Sequence, residues 1–284
     1  MVSAVTQHGG FSPGAACRLR LADGRRAFLK AVAASQDGVA FGLHRREAEI
    51  TASLPAGCGV PRLLGFFDDG AWVALLMSDV EGRQPGQPWR LPELTRVLDE
   101  LSLLHERLTP CPVDAAQPIA VTQQEALGGW RRLAARQDPP LDAWSLSHLQ
   151  QLADLEALWS QAAAGPTLLH TDLRADNILL TGDEGVVFVD WAWACTGAAW
   201  VDVVTLAPSV AMQGGPDLQW LLDRTRSVRT ADPDAVTAVA AAVAGYFTEQ
   251  ATLPAIPGLP RLRHFQAAQG KHARAWLRRR TGWR

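Results

Sequence analysis

The chain has 284 residues, 48% hydrophobic and 20% charged, with a formal net charge of −2. That composition fits one large globular domain or two lobes, and it excludes a disordered chain or one steered to nucleic acid by bulk charge. Four cysteines, Cys17, Cys58, Cys111 and Cys195, stand apart without C-x-x-C spacing, which fits reduced thiols in a cytoplasmic protein better than a disulfide frame or a zinc site.

The stretch Met1 to His8 lacks a basic n-region and an apolar h-region, so no signal peptide is expected. Gly9 to Ala16 is a glycine-rich turn. Cys17 to Leu21 alternates as a strand, Ala22-Asp23-Gly24-Arg25 is a D-G hairpin turn, and Ala27 to Val32 returns as a second strand carrying Lys30. A small-residue loop between two strands can lie over phosphates, because backbone N–H groups approach where no side chain intrudes; it can equally be a plain turn. His44 to Leu54 reads as a helix with Ile50 and Leu54 on one face. Val60 to Phe67 and Ala71 to Met77 read as two more strands joined by Asp68-Asp69-Gly70. The first part is therefore a mostly antiparallel sheet with one helix. Ser78 to Gly82 and the Pro/Gly-rich stretch Gln84 to Pro92 mark a lobe boundary, giving a lobe over 1–78, a linker over 79–92 and a second lobe over 93–284.

The second lobe is mainly helical. Leu94, Val97, Leu98, Leu101, Leu104 and Leu108 form a stripe of helical period, and His105 falls on it as a core or loop-bracing histidine. Gln123 to Arg136 and Leu146 to Ala162 are further helices, separated by Gln137 to Asp142. Asp232-Pro233 is an N-cap followed by proline at the first helical position, opening a helix through about Ala251. Its apolar run Ala235 to Phe247 is too short to span a bilayer. Arg261 to Arg284 carries Arg and Lys but no acid and reads as a solvated basic helix.

Between these helices lies Thr167 to Trp193. An apolar strand leads into His170, Asp172, Arg174, Asp176 and Asn177. A hairpin follows, Ile178-Leu179-Leu180 and Val186 to Val189 around Gly182-Asp183-Glu184-Gly185, and it ends on Asp190. Asp172, Asn177 and Asp190 are expected to sit together. Two carboxylates and an amide oxygen are what Mg²⁺-assisted phosphoryl transfer uses. Asn177 is the only asparagine in the chain, and Lys30 and Lys271 are its only lysines, so composition drift does not explain their positions.

The run His170-Thr171-Asp172-Leu173-Arg174-Ala175-Asp176-Asn177 resembles the catalytic loop of the protein-kinase-like fold and is most similar to that of the aminoglycoside phosphotransferase family, with Asp190-Trp191-Ala192-Trp193 where protein kinases carry Asp-Phe-Gly. The resemblance extends over nearly the whole chain. It implies an α+β, bilobal protein-kinase-like fold, with a small antiparallel-sheet N-lobe holding one helix and a larger, mainly helical C-lobe. It implies ATP and Mg²⁺ as cofactors and a small-molecule hydroxyl as acceptor, with no nucleic-acid or membrane partner and a monomer or simple homodimer as the assembly. Under it, Asp172 accepts or orients the hydroxyl, Arg174 stabilises the γ-phosphoryl oxygens, and Asn177 and Asp190 hold the metal. Lys30 grips the α- and β-phosphates, braced by Glu47, with Glu49 as the fallback. Ser12 touches the phosphates, and Asp79 and Val80 offer main-chain groups to the adenine edge, with Met77 behind it. Asp202 holds the catalytic loop from beneath, and His170 braces it.

The chain departs from regulated protein kinases. Its glycine turn is not G-x-G-x-x-G, no Arg precedes Asp172, about ten residues separate Asp190 from the next helical stretch, and there is a single tyrosine. The acceptor is open among antibiotics such as aminoglycosides, other antibiotic alcohols, sugars and amino alcohols. A polycationic acceptor would want an acidic cleft, for which Asp138, Asp142, Asp154 and Glu156 are candidates; the basic C-terminal segment argues against one if it lines the site. Of eleven tryptophans, Trp130, Trp144 and Trp193 are candidates to stack on a flat acceptor. The rival class is a non-catalytic nucleotide-binding module, against which stands the completeness of Lys30, Glu47, Asp172, Asn177 and Asp190.

Overall fold

The computed structural model of the protein describes residues 2–7, 14–256 and 259–284. The first lobe is a five-stranded antiparallel sheet in the order β1-β2-β3-β5-β4, from β1 (Ser3–Thr6), β2 (Ala15–Arg20), β3 (Arg26–Ala33), β4 (Leu63–Asp68) and β5 (Trp72–Ser78). The edge strand β1 was not expected from the sequence. Helix α1 (Gly38–Ser53) packs on the sheet, and Val32, Phe41, Ala48, Val73, Leu75 and Met77 form a small separate core. It begins six residues before the expected start because the Asp37 side chain accepts the Ala40 N–H at 2.8 Å and caps it. Gly14, at the head of β2, has φ +122°, and a Cβ there would stand 2.6 Å from the Ala31 carbonyl oxygen, so only glycine fits.

Strand β6 (Gly82–Arg83) crosses into the second lobe, where it pairs with residues Leu180 and Thr181. That lobe continues through α2 (Leu91–Arg107), α3 (Ile119–Thr122), α4 (Gly129–Ala134), α5 (Ala143–Ser147), α6 (Leu149–Ala157), α7 (Trp159–Ala162), β7 (Thr167–Leu169), β8 (Ile178–Thr181), β9 (Val186–Phe188), β10 (Cys195–Gly197), α8 (Val201–Met212), α9 (Leu218–Arg224), α10 (Arg226–Arg229), α11 (Pro233–Ala251) and α12 (Leu262–Thr281). The expected apolar stripe of α2 is buried, His105 with it. Asp232 caps α11 through the Asp234 N–H, with Pro233 in the first turn as expected.

Three expectations need correction. The helix expected over 123–136 is confined to 129–134, because paired glycines at 128 and 129 disfavour helix and the buried Glu156 carboxylate accepts the Trp130 and Arg131 N–H groups, each at 2.9 Å, fixing the start. The helix expected over 146–162 is three short ones, α5 to α7, with breaks at His148 and Leu158. The C-terminal helix is not simply solvated: Gln266, Gln269, Gly270, Ala273, Trp276 and Leu277 on α12 are buried. Helix α4 meets α11 backbone to backbone. A Cβ on Gly129 would lie 2.1 Å from the Gly245 carbonyl oxygen. No helix among the described residues is long and apolar enough to cross a membrane.

Candidate active site

The loop between β7 and β8 is held open by a buried carboxylate. Asp202, at the start of α8, accepts the His170 N–H at 2.9 Å and the Thr171 N–H at 2.7 Å, and its Oδ2 lies 2.9 Å from His105 Nε2. Thr171 is a β-branched residue at φ +61°, and Asp190 sits at φ +70°. Such conformations cost on the order of 1–3 kcal/mol each and persist where surrounding contacts over-determine them. For Thr171 those contacts are Asp202 and the hydrogen bond its hydroxyl donates to the Trp193 carbonyl at 2.8 Å. His170 donates from Nε2 to the Val189 carbonyl at 2.8 Å and accepts the Asp172 N–H on Nδ1 at 3.3 Å, so both ring nitrogens are engaged by backbone.

Burial opposes the charge on Asp202, but the His105 contact and the N–H groups outweigh it and hold the carboxyl below its ordinary value. Its contribution to stability is therefore complete above the unfolded carboxylate pKa of ~3.9 and is lost as pH falls through the depressed folded value. Asp202→Ala is expected to lower the unfolding free energy by about 3 kcal/mol or more, since it strips partners from buried donors. Urea titration at pH 7 checks this, and a midpoint unchanged from wild type would remove Asp202 as the loop's anchor.

The structure brings the sequence-predicted groups together. Arg174 donates from Nη1 to Asp172 Oδ1 at 2.6 Å and from Nε to Asp176 at 3.0 Å. The Asn177 amide nitrogen donates to the Asp172 carbonyl at 2.8 Å and to Asp172 Oδ2 at 3.2 Å, which leaves its amide oxygen as the outward atom. The hairpin register Ile178 opposite Phe188 returns the chain so that Asp190 stands beside this loop. From the first lobe, Lys30 Nζ donates to both Glu47 oxygens at 2.8 Å and to Asp190 Oδ1 at 3.0 Å. Glu47 is 1% exposed, whereas Glu49 faces solvent, so the fallback residue is not the partner.

Burial disfavours every charge here. It pushes the Glu47 and Asp172 carboxyls up, and Arg174 opposes the shift only in part at Asp172. At Lys30 the attraction of Glu47 and Asp190 overcomes burial and holds the ammonium above its ordinary range; at Asp190 the contact with Lys30 holds the carboxyl down.

All of these groups except Glu47 line one cavity of about 1150 Å³, larger than the ~300–1,000 Å³ of a single small-ligand site. Met77 and Val80 line it too. The Asp79 side chain is tied to Arg26 at 2.7 Å, and the Val80 carbonyl accepts from Arg18 at 3.3 Å. The Asp79 carbonyl and the Val80 N–H make no hydrogen bond among the described residues. Ser12 lies outside the described residues, as does the glycine turn from 9 to 13.

The candidates for the acceptor side fare differently. Glu156 is buried as the cap of α4, Asp142 caps α5 and pairs with Arg274 at 3.0 Å, and Asp138 and Asp154 are exposed; none of the four lines the cavity. Trp130 is fully buried and donates to the Ala241 carbonyl, Trp144 stacks with Trp283 and lies tilted against His148, and Trp193 alone of the three reaches the cavity. The wall is built instead by Val243, Tyr246, Phe247 and Gln250 of α11 and by Leu262, Phe265, Gln266 and Gln269 of α12. Both sets follow the i, i+3, i+4, i+7 spacing of one helix face, a signal present in the sequence but indistinguishable there from core. Although α12 is basic, the four residues it presents to the cavity are neutral.

A profile of the Phosphotransferase enzyme family (APH) matches residues 16–236. No curated protein matches the chain. Among solved structures, the aminoglycoside phosphotransferase APH(4)-Ia is 16% identical with a TM-score of 0.62, covering 98% of this chain and 93% of that one. An aminoglycoside phosphotransferase from Alicyclobacillus acidocaldarius is 16% identical at a TM-score of 0.55, over 99% of this chain and 93% of that one. Amicoumacin kinase, solved in complex with AMP-PNP, Ca²⁺ and Ami, is 12% identical at a TM-score of 0.62, over 98% of this chain and 88% of that one. At these identities the likeness establishes the kinase-like fold.

Proposed function

The chain belongs to the Phosphotransferase enzyme family, and we propose that it is an ATP- and Mg²⁺-dependent O-phosphotransferase acting on a hydroxyl of a small molecule, with a nucleotide lobe over 1–78, a hinge over 79–92 and a catalytic and acceptor-binding lobe over 93–284. One observation carries the reading: Lys30 with its Glu47 brace, Asp172, Asn177 and Asp190 converge from both lobes on one cavity with room for two ligands. The Asp79 carbonyl and Val80 N–H, without a hydrogen bond among the described residues, supply the acceptor and donor that an adenine edge needs.

The residues present fit a magnesium-bound nucleotide. Mg²⁺ is held by one or two protein oxygens together with phosphate, not by an all-protein cage. Asp190 and the outward amide oxygen of Asn177 are such a pair, and among the described residues no cluster of three or more His, Cys, Asp or Glu forms a closed metal site. The bound ion would neutralise charge on the phosphate oxygens. Lys30 places those oxygens, and Asp172 receives the proton of the acceptor hydroxyl as its oxygen bonds to the γ-phosphorus and the bond to the β-phosphate oxygen breaks, releasing ADP. Arg174, adjacent to Asp172, takes charge from the γ-phosphoryl oxygens.

The test is ADP release from Mg²⁺-ATP across cationic aminoglycosides, other antibiotic alcohols, neutral sugars and amino alcohols. The expected result is acceptor-dependent release that stops when EDTA removes the metal. Label passing from ATP into proteins but into none of these molecules would replace the proposal with a protein kinase.

A further inference from the structure

We infer that the acceptor is a hydroxylated molecule with an apolar face and no more than one positive charge, held in part by Gln269, and that it is not a polycation. The inference rests on the phosphotransferase reading and deepens it.

The carboxylates of the acceptor wall are already neutralised by the protein's own guanidiniums. Glu249 receives Arg132 through two nitrogens, the Nε contact at 2.6 Å, and Arg136 lies 3.6 Å from its Oε1. Asp172 and Asp176 share Arg174. Arg263 donates to the side-chain oxygens of Gln250 at 3.0 Å and Gln266 at 2.9 Å, adding a further cation at the base of α12. Asp190 is paired with Lys30, so among the described residues only the exposed Glu125 lines the cavity with no cation bonded to its carboxylate. A polycation would have to displace these arginines or face them as like charges, which complementary sites avoid. One ammonium at Glu125 is the most the wall accommodates.

What the wall offers instead is apolar surface and an amide. Trp193 is 40% exposed, and Tyr246 and Phe247 stand edge to face at 5.0 Å, so flat or apolar parts of a ligand find partners there. Gln269 lines the cavity, is 2% exposed, and has no side-chain hydrogen bond among the described residues. A buried amide is ordinarily bonded, and here the cavity is the side left to bond it. Carbonyl, ether or hydroxyl oxygens satisfy its NH₂ group, and a hydroxyl satisfies its oxygen.

The probes are aryl glycosides matched in shape and carrying no, one or three ammonium groups, with hygromycin B as a rigid polycation. Binding is titrated by calorimetry to the Asp172→Asn protein with Mg²⁺ and a non-hydrolysable ATP analogue, and turnover is read separately on wild type. The neutral and singly charged glycosides are expected to bind with little dependence on salt and more tightly than either polycation. Gln269→Leu is expected to weaken the neutral probe by about tenfold, the worth of one buried hydrogen bond, and to leave nucleotide binding unchanged. Arg132→Gln, which uncovers Glu249, is expected to strengthen hygromycin B binding. Affinity rising with each added ammonium, or a neutral probe indifferent to Gln269→Leu, would overturn the inference. Neutral probes that bind as expected but are never phosphorylated by wild type would leave the ligand preference of the wall standing and remove the phosphotransferase reading, and with it the assignment of that ligand as an acceptor.

Discussion

Asp172→Asn is expected to lower turnover by on the order of 10²–10⁴-fold while leaving nucleotide affinity nearly unchanged, because it removes the base and little else. Asparagine keeps the side chain's size and one oxygen for Arg174, and the Asn177 amide keeps the main-chain carbonyl of residue 172. In the proposed reaction nucleotide contacts fall to Lys30, Asp190 and the segment at Asp79 and Val80, none of which depends on a charge at position 172. The pH profile supplies an independent mark. Burial lifts the Asp172 carboxyl above its ordinary range, and Arg174 counters this only in part. The base acts when deprotonated, so acceptor-saturated turnover should fall as pH drops through that raised value, at a higher pH than a solvent-exposed aspartate would give. Steady-state kinetics of both proteins between pH 4 and 8, with ATP binding measured alongside, check both points. Turnover of the variant within a few-fold of wild type would withdraw Asp172 as the base.

Lys30→Met is expected to abolish turnover and also to destabilise the fold, and the two effects can be separated. The lysine side chain is 16% exposed and that of Glu47 2%, so removing the ammonium leaves a buried carboxylate with no counter-charge, at a cost of about 3–5 kcal/mol. Asp190, at 34% side-chain exposure, is better placed to regain water. The double variant Lys30→Met, Glu47→Gln should recover much of the lost stability, since it no longer buries a charge, yet it should still bind Mg²⁺-ATP poorly and turn over no acceptor. Urea midpoints and nucleotide titration on the three proteins decide it. If the double variant regained activity along with stability, Lys30 would be structural only.

The loop from His170 to Asn177 was legible because its groups lie close together along the chain. Four residues separate Asp172 from Asn177, and a tight hairpin brings Asp190 back to them, so strand and turn preferences nearly suffice to bring the three together. Lys30 and Glu47 were legible through the resemblance and through the rarity of lysine, although the choice between Glu47 and Glu49 came from burial on α1. The acidic candidates failed for a physical reason. A carboxylate in a sequence does not disclose its partner. Glu156 serves as a helix cap, Asp142 as another, and Glu249, never singled out, is matched by an arginine 117 residues away. The tryptophans failed likewise: a large apolar ring at helical spacing reads the same whether it faces core or cavity, and two of the three turned inward or against neighbours.

The sequence by itself therefore determined the two-lobe order of strands and helices, the loop from His170 to Asn177, and the identity of the residues that meet phosphate in the proposed reaction. Those depend on hydrophobic period, turn chemistry and short spacings, all read along the chain. Tertiary structure alone decided the acceptor wall, the Arg132–Glu249 and Arg263–glutamine contacts that set its charge, and the strained Thr171 held by Asp202. These depend on which helix faces cross one another. α4 reaches α11 because Gly129 and Gly245 let two backbones touch, a fit that no local preference encodes.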